Sequence, residues 1–285
     1  MQACNHQQPP YFFIQYCNSN NITNIWDFIM ENREIGGIWF ISGHWPLDPD
    51  KPTLVLIHGA ALASIFWEPQ VTYLRDFANT VAVDLPGHGA SQSPGKESIS
   101  DYAQSVMDFI DLIEAPQPIP CGLSMGGAIT QQLLINNRDR FPAGILINTG
   151  ARLKVMPLIF QTVQKSYSDF VEMLCVSAIS IKSDAEKLRA VIEACSKCRP
   201  DVVLGDFKAC DSFDVTEKLS LIEVPVLVLT GNDDNITPLK YGIFLEKNIK
   251  NAKLVNIEDA GHLSPIEKPH EVNRSIHDFL SQILI

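Results

Sequence analysis

The residues in this chain best suited to chemistry are Gly122-Leu123-Ser124-Met125-Gly126. Upstream, Pro118-Ile119-Pro120-Cys121 suits the end of a strand. Downstream, Gly127 to Leu134 suits a helix packed through Ile129, Leu133 and Leu134. Between strand and helix, glycines without a Cβ let the turn close sharply and leave Ser124 strained and exposed. Its Oγ would then attack a carbonyl carbon, while the helix N-terminus aims backbone N–H groups at the resulting oxyanion. Glycine and serine are common in ordinary turns, so the pentapeptide needs partners elsewhere in the chain.

Two later loops supply them. The apolar run Val224-Pro225-Val226-Leu227-Val228-Leu229-Thr230 reads as a buried parallel strand and leads into the carboxylate-rich loop Gly231-Asn232-Asp233-Asp234-Asn235-Ile236-Thr237-Pro238. Lys253-Leu254-Val255-Asn256-Ile257 then runs into Glu258-Asp259-Ala260-Gly261-His262. Serine, aspartate and histidine thus follow one another in the chain, each past the carboxyl end of its own strand. That is the order of the α/β-hydrolase triad.

The chain resembles the α/β-hydrolase superfamily in its serine esterase-like branch, over roughly residues 36 to 283. Beside the elbow, the resemblance rests on His58-Gly59-Ala60, on Asp84-Leu85-Pro86-Gly87-His88-Gly89-Ala90-Ser91, on the Gly231 to Pro238 loop, and on Gly261-His262 with Glu267-Lys268-Pro269 behind it. It implies an α/β-hydrolase fold: a mainly parallel sheet flanked by helices, with an inserted helical cap. It also implies Ala60 and Met125 as the oxyanion-hole donors, and Asp234 as the acid, three places after Gly231. Ser124 would attack, His262 would take its proton and return it to the leaving group, and Asp234 would hold the imidazole. Asp233 is the neighbouring rival for the acid, and Asp259 is too local to His262 to bridge comfortably. Some relatives carry the acid after the preceding strand, but here that stretch is Asn148-Thr149-Gly150-Ala151-Arg152, without a carboxylate.

Other reactive side chains read as architecture. His58 and His88 lie in turns, His270 and His277 in a final helical segment, and a second catalytic histidine has no task in this mechanism. Cys195 and Cys198 form a C-x-x-C at the end of a helix opened by a Ser183-Asp184-Ala185-Glu186 capping box, with Leu188, Val191, Ile192 and Cys195 on one face. No second pair completes a zinc set, so neither metal nor organic cofactor is expected.

These residues need strands and helices to hold them. Residues 1–35 read as an N-terminal extension, helical from about Ile25 to Glu31. Residues 36–150 and 215–285 read as the core domain, with strands at Gly36–Ile41, Thr53–Ile57, Thr80–Val83 and Gly144–Asn148 and a helix at Ser100–Ile113. Residues 151–214 carry helical patterns and no strand, including one apolar stretch from Pro157 to Val176, and read as the cap. With 285 residues and 46% hydrophobic content the chain can bury one large core. A net charge of −11 disfavours nucleic acid as a partner. There is no signal-like start and no apolar window of membrane-spanning length, and the seven cysteines are odd in number. These features predict a cytoplasmic protein acting on a small molecule.

The serine nucleophile excludes relatives that use aspartate or cysteine in its place. Carboxylic ester hydrolysis is the first reading, on small to medium esters with acyl chains of about two to eight carbons in a bounded pocket. Phe160, Phe170, Met173 and Phe207 of the cap, with Trp67 near the oxyanion turn, are the candidate walls. The rivals are hydrolysis of a C–C bond in a vinylogous diketone acid, for which Arg152 and Lys154 could hold the carboxylate, and thioester or lactone hydrolysis and perhydrolysis. A ligand-binding protein that keeps the fold is a third class.

Overall fold

Alternation of β-branched runs with amphipathic segments produces a single eight-stranded sheet among the residues described, 30–283 of a computed structural model. The strands are β1 (Glu31–Ile35), β2 (Ile38–Ser42), β3 (Thr53–Ile57), β4 (Asn79–Val83), β5 (Pro118–Leu123), β6 (Gly144–Ile147), β7 (Val226–Gly231) and β8 (Ala252–Ile257). Their order in the sheet is β1-β2-β4-β3-β5-β6-β7-β8. β1 pairs antiparallel with β2 and β2 with β4, and every later pairing is parallel. All five residues of β3 are buried, because helices cover both faces of the parallel region. Leu54 and Leu56 join the core on one face, Val55 and Ile57 the core on the other. The edges behave differently: β1 alternates half-buried and exposed residues and carries Glu31, Arg33 and Glu34, which discourage pairing with a further strand.

The helices that matter for the site are α1 (Glu68–Leu74), α2 (Ile99–Leu112), α3 (Met125–Asn136), α8 (Leu239–Asn248), α9 (Ser264–Glu267) and α10 (Pro269–Ile283). α10 shows why such segments dock: Val272, Ile276, Phe279 and Leu280 recur at helical spacing and are buried. Each such side chain contributes about 1.5–3 kcal/mol when fully buried.

Between β6 and β7 stand four further helices, α4 (Pro157–Lys165), α5 (Tyr167–Ser177), α6 (Ala185–Cys195) and α7 (Pro200–Ser212). The two ends of this insertion are tied together by an antiparallel bridge between Arg152 and Asp214, with the Val215 N–H donating to Ala151 O at 2.8 Å. The apolar stretch expected over 157–176 is two helices. Ser166 breaks it with extended backbone (φ −158°, ψ 106°) and caps α5 by accepting from the Asp169 N–H. The capping box expected at Ser183 also shifts: Asp184 O accepts the Leu188 N–H, and the Ser183 hydroxyl donates to Glu267 instead. The helix expected from about Ile25 lies outside the described residues up to position 29, and Glu31 itself opens β1, so residues 31–35 of the expected extension belong to the sheet. Among the described residues no helix is long and apolar enough to cross a membrane.

Candidate active site

The turn at residue 124 is built by close backbone contact that only glycine permits. A Cβ on Gly122 would stand 2.0 Å from Gly126 O, and one on Gly126 would stand 2.1 Å from Ile57 O at the end of β3. The turn therefore closes between β5 and α3 with Ser124 at φ 53°, ψ −112°, a conformation that costs a non-glycine residue of order 1–3 kcal/mol. It is held by the Ser124 N–H donating to Ile147 O (2.9 Å) and by Thr149 Oγ1 donating to Ser124 O (2.8 Å). Among the described residues 118–131, all but Ser124 are buried; among 52–64, all but Ala60 are. The two openings are close in space, since a side-chain carbon on Gly59, the residue before Ala60, would lie 3.4 Å from Ser124 Cβ. The Ala60 N–H has no hydrogen-bond partner among the described residues. Met125 opens α3, so its N–H has no intrahelical acceptor either.

The loop after β7 brings Asp234 to His262, with Oδ2 2.9 Å from Nδ1. Asp234 is saturated with donors: Ile236 N–H (2.8 Å) and Thr237 N–H (2.9 Å) on Oδ1, Thr237 Oγ1 (2.7 Å) and Asn148 Nδ2 (2.9 Å) on Oδ2. Burial alone would push this carboxyl up; the His262 ring and the Thr237 donors outweigh it and hold the group well below the usual carboxylate range. An ionised Asp234 fixes the Nδ1–H tautomer and leaves the lone pair on Nε2. Asp233 points elsewhere and accepts from Ser180 Oγ at 2.5 Å. Asp259 pairs with Lys182 at the surface.

Residues to which the sequence assigns no role complete this support. Asn148, where some relatives carry their acid, donates to both Asp234 and Gly261 O (2.8 Å) and is itself held by Ser264 Oγ (2.9 Å). Glu267 accepts from the Gly261 and Leu263 N–H groups at 3.0 Å and from Ser180 N–H at 2.7 Å, so one carboxylate ties the histidine loop to the cap. The His262 N–H donates to Ala178 O at the end of α5 (2.8 Å).

The two turn histidines differ in protonation. His58 Nδ1 faces Gly59 O at 2.8 Å, and its Nε2 accepts the Leu85 N–H at 3.1 Å, which defines a neutral ring. Burial, with His88 nearby, keeps His58 well below the usual histidine value. His270 and His277 lie on α10, the latter against Phe77 and Asp278. Burial pushes the Cys195 and Cys198 thiols up.

Of the candidate walls, Phe170 is buried in a small cluster with Val163, Cys198, Val203 and Ala61, the last of these next to the candidate oxyanion donor Ala60. Met173 and Phe207 are half-buried against that cluster, and Phe160 packs edge-on to Phe207. Trp67 stands apart from them. It is fully buried, packs edge-on against Phe66 and belongs to the large core cluster on one face of the sheet, so packing explains it.

The family model described as the alpha/beta hydrolase family matches residues 54–275. The chain belongs to that family. Among curated relatives, 3-oxoadipate enol-lactonase 2 of Acinetobacter baylyi is 28% identical over 235 residues, covering 80% of this chain and 88% of the relative. The pimeloyl-[acyl-carrier protein] methyl ester esterase of Nitrosomonas europaea is 23% identical, covering 81% of this chain and 96% of its own. Of solved structures, a thermophilic esterase superposes with a TM-score of 0.73 at 29% identity, covering 90% of this chain and 98% of that one. The enol-lactonase of Burkholderia xenovorans superposes with a TM-score of 0.78 at 23% identity, covering 88% and 100%, a likeness of fold. This family member shares with them the mainly parallel sheet flanked by helices.

Proposed function

We propose that the protein is a serine hydrolase of carboxylic esters, linear or cyclic, acting through an acyl-enzyme. The observation that carries this reading is the pairing of two local openings, at Ser124 and Ala60, in otherwise buried segments, together with a histidine whose Nδ1 meets the Asp234 carboxylate at 2.9 Å. Ser124 Oγ adds to the carbonyl carbon as His262 Nε2 takes its proton. The oxyanion is received by the N–H groups of Ala60 and Met125, and the alcohol leaves with the proton returned by His262. Water then repeats the sequence on the acyl-serine. A lactone follows the same path with its alcohol still tethered, and the enol-lactonases among the relatives support including that class.

Esters are favoured over a C–C substrate by the placement of the cations. Arg152 lies 3.8 Å from Asp214 and Lys154 3.6 Å from Asp211. Both line a depression of about 430 Å³ with Lys240, Tyr241 and Phe244, whose walls include none of Ser124, Asp234 or His262. The aromatic cluster of the cap supports short to medium acyl groups. The test is labelling with a serine-directed phosphonate, followed by p-nitrophenyl esters, an enol-lactone and a dienoic diketone acid. Labelling at Ser124 and ester or lactone turnover are expected, with turnover falling about 10⁴- to 10⁶-fold in Ser124→Ala. Label elsewhere, or cleavage of the diketone acid alone, overturns the assignment.

A further inference from the structure

Asp206 is a buried carboxylate on α7 of the cap that the proposed chemistry does not use. Its Oδ2 accepts the Ala61 N–H at 3.0 Å and lies 2.8 Å from His88 Nε2, while Oδ1 accepts the Tyr102 hydroxyl at 2.6 Å. Asp206, His88 and Tyr102 have no exposed surface, and neither has Ala61. A buried carboxylate is costly unless donors surround it, and here they come from three separate parts of the core.

The ring of His88 shows what charge balances it. Nδ1 faces Pro86 O at 3.1 Å and Nε2 faces Asp206, so both nitrogens meet acceptors and both are donors. Burial works against that imidazolium, but the Asp206 carboxylate outweighs it, with a smaller contribution from Asp84, and raises His88 above the usual histidine value. The other groups facing the pair carry no competing charge: His58 is neutral, its ring 4.8 Å from that of His88, and burial pushes Cys198 up to about 12 and the Tyr102 phenol up as well.

Ala61 is the residue after the candidate oxyanion donor, and its φ of 62° is left-handed. For alanine that conformation costs about 1–2 kcal/mol, so something must hold it. The Leu62 N–H closes the turn onto Gly59 O at 3.3 Å, His58 holds the same oxygen at 2.8 Å, and Asp206 holds the Ala61 N–H. Fixing that N–H fixes the Ala60–Ala61 peptide plane, while the contacts on Gly59 O fix the Gly59–Ala60 plane that carries the Ala60 N–H, so Ala60 is held from both sides and loss of the Asp206 bond frees one of them.

We propose that Asp206 is a positioning residue for the oxyanion hole, which acts through the Ala61 N–H to aim the Ala60 N–H at the carbonyl and so makes cap helix α7 part of the catalytic apparatus. This rests on the ester-hydrolase reading, and the test separates the two. Asp206→Asn keeps the volume but turns an acceptor into a donor. Tyr102→Phe weakens the same cap anchor and leaves the Ala61 bond in place. Steady-state kinetics, melting temperature and hydrogen exchange of the peptide spanning 58–63 are measured on both. Deleting an oxyanion donor costs about 10²–10³ in kcat, and misaiming one is expected to cost about 10- to 100-fold. Asp206→Asn should therefore lose kcat with KM changed less than about 3-fold, and should exchange faster over 58–63. Tyr102→Phe should lower the melting temperature comparably with a clearly smaller loss of kcat. Wild-type kcat and exchange in Asp206→Asn, or kcat losses that follow melting temperature alike in both variants, overturn the proposal. If Asp206→Asn does not fold, Asp206→Glu, which keeps the charge but shifts the carboxylate, takes its place with the same expected and refuting results. A wild type that turns over no ester or lactone overturns the functional reading instead, while the exchange comparison still decides whether Asp206 orders the turn.

Discussion

Asp234→Asn exchanges one oxygen for an NH2 group at almost constant volume, and the surroundings allow that group no comfortable position. Oδ1 accepts two backbone N–H groups, from Ile236 and Thr237. Oδ2 accepts from Asn148 Nδ2, Thr237 Oγ1 and the His262 ring. Every neighbour is thus a donor. If the amide keeps its oxygen on the backbone pair, its NH2 meets the Asn148 amide and forces His262 Nδ1 to become an acceptor. The ring proton then moves to Nε2, and the base is lost. In a serine protease the equivalent change costs about 10⁴ in turnover, which at 1.36 kcal/mol per decade is about 5 kcal/mol of transition-state stabilisation. Asp233→Asn loses only the contacts to Ser180 and Asn232 at a partly exposed site. A change of that kind stays within about 0.5 kcal/mol, or roughly 2- to 3-fold. The assay is kcat/KM on p-nitrophenyl acetate for both variants, with circular dichroism to verify folding. Equal losses, or a larger loss at Asp233, would refute the assignment and the tautomer argument with it.

Other outcomes follow from the same geometry. Gly126→Ala should fail to fold or lose nearly all activity, because the new carbon would stand 2.1 Å from the backbone oxygen of Ile57, which cannot retreat; a soluble, active variant refutes the elbow geometry. The depressed Asp234 carboxyl contributes stability that is complete above the ordinary carboxylate range and is lost as pH falls through and below it, so Asp234→Asn should flatten the acid side of a melting-temperature profile. The raised His88 gives the opposite sign: its contribution is complete below the ordinary histidine value of about 6.5 and is lost as pH rises beyond it, so His88→Gln should flatten the alkaline side. Dialysis against a chelator should leave turnover unchanged; a chelator-sensitive rate argues against a nucleophile and donors supplied by the chain alone.

How much of this was legible depended on whether a residue's role is local. The strands β3, β5 and β7 were readable because burial on both faces demands unbroken apolar runs, and the elbow because two glycines bracket a serine within one turn. The order of serine, aspartate and histidine was visible for the same reason: each lies just past the end of its own strand. Asn148 was noticed as a missing carboxylate, yet its use as a donor to Asp234 depends on β6 and β7 being neighbours, which no local pattern states. Asp206 is harder still. It lies on a helix with two other aspartates, Asp201 and Asp211, neither of them buried, and its partners Ala61, His88 and Tyr102 are 145, 118 and 104 residues away. The break at Ser166 was missed because apolar spacing continues across it, and Trp67 was offered to the pocket because nearness in sequence to the oxyanion turn does not say which way a side chain packs.

The cap touches the candidate site at both ends. On one side Asp206 holds the Ala61 N–H next to the oxyanion turn; on the other, Ala178 O accepts the His262 N–H, and Glu267 joins Ser180 and Ser183 to the N–H groups of Gly261 and Leu263. The same insertion carries Phe170 and Phe207, with ring centroids 5.6 Å apart. Lifting such a cap away as a rigid lid would break charge-assisted bonds at both anchors, each worth about 1.5–3 kcal/mol. The stretch ahead of both anchors in the chain, where α4 meets α5 at the extended Ser166, leaves Met156 and Leu158 exposed. On the proposed function, the anchored parts of the insertion hold the proposed oxyanion turn and base, and the α4–α5 segment, which makes neither contact, is left to form the wall that meets the acyl chain.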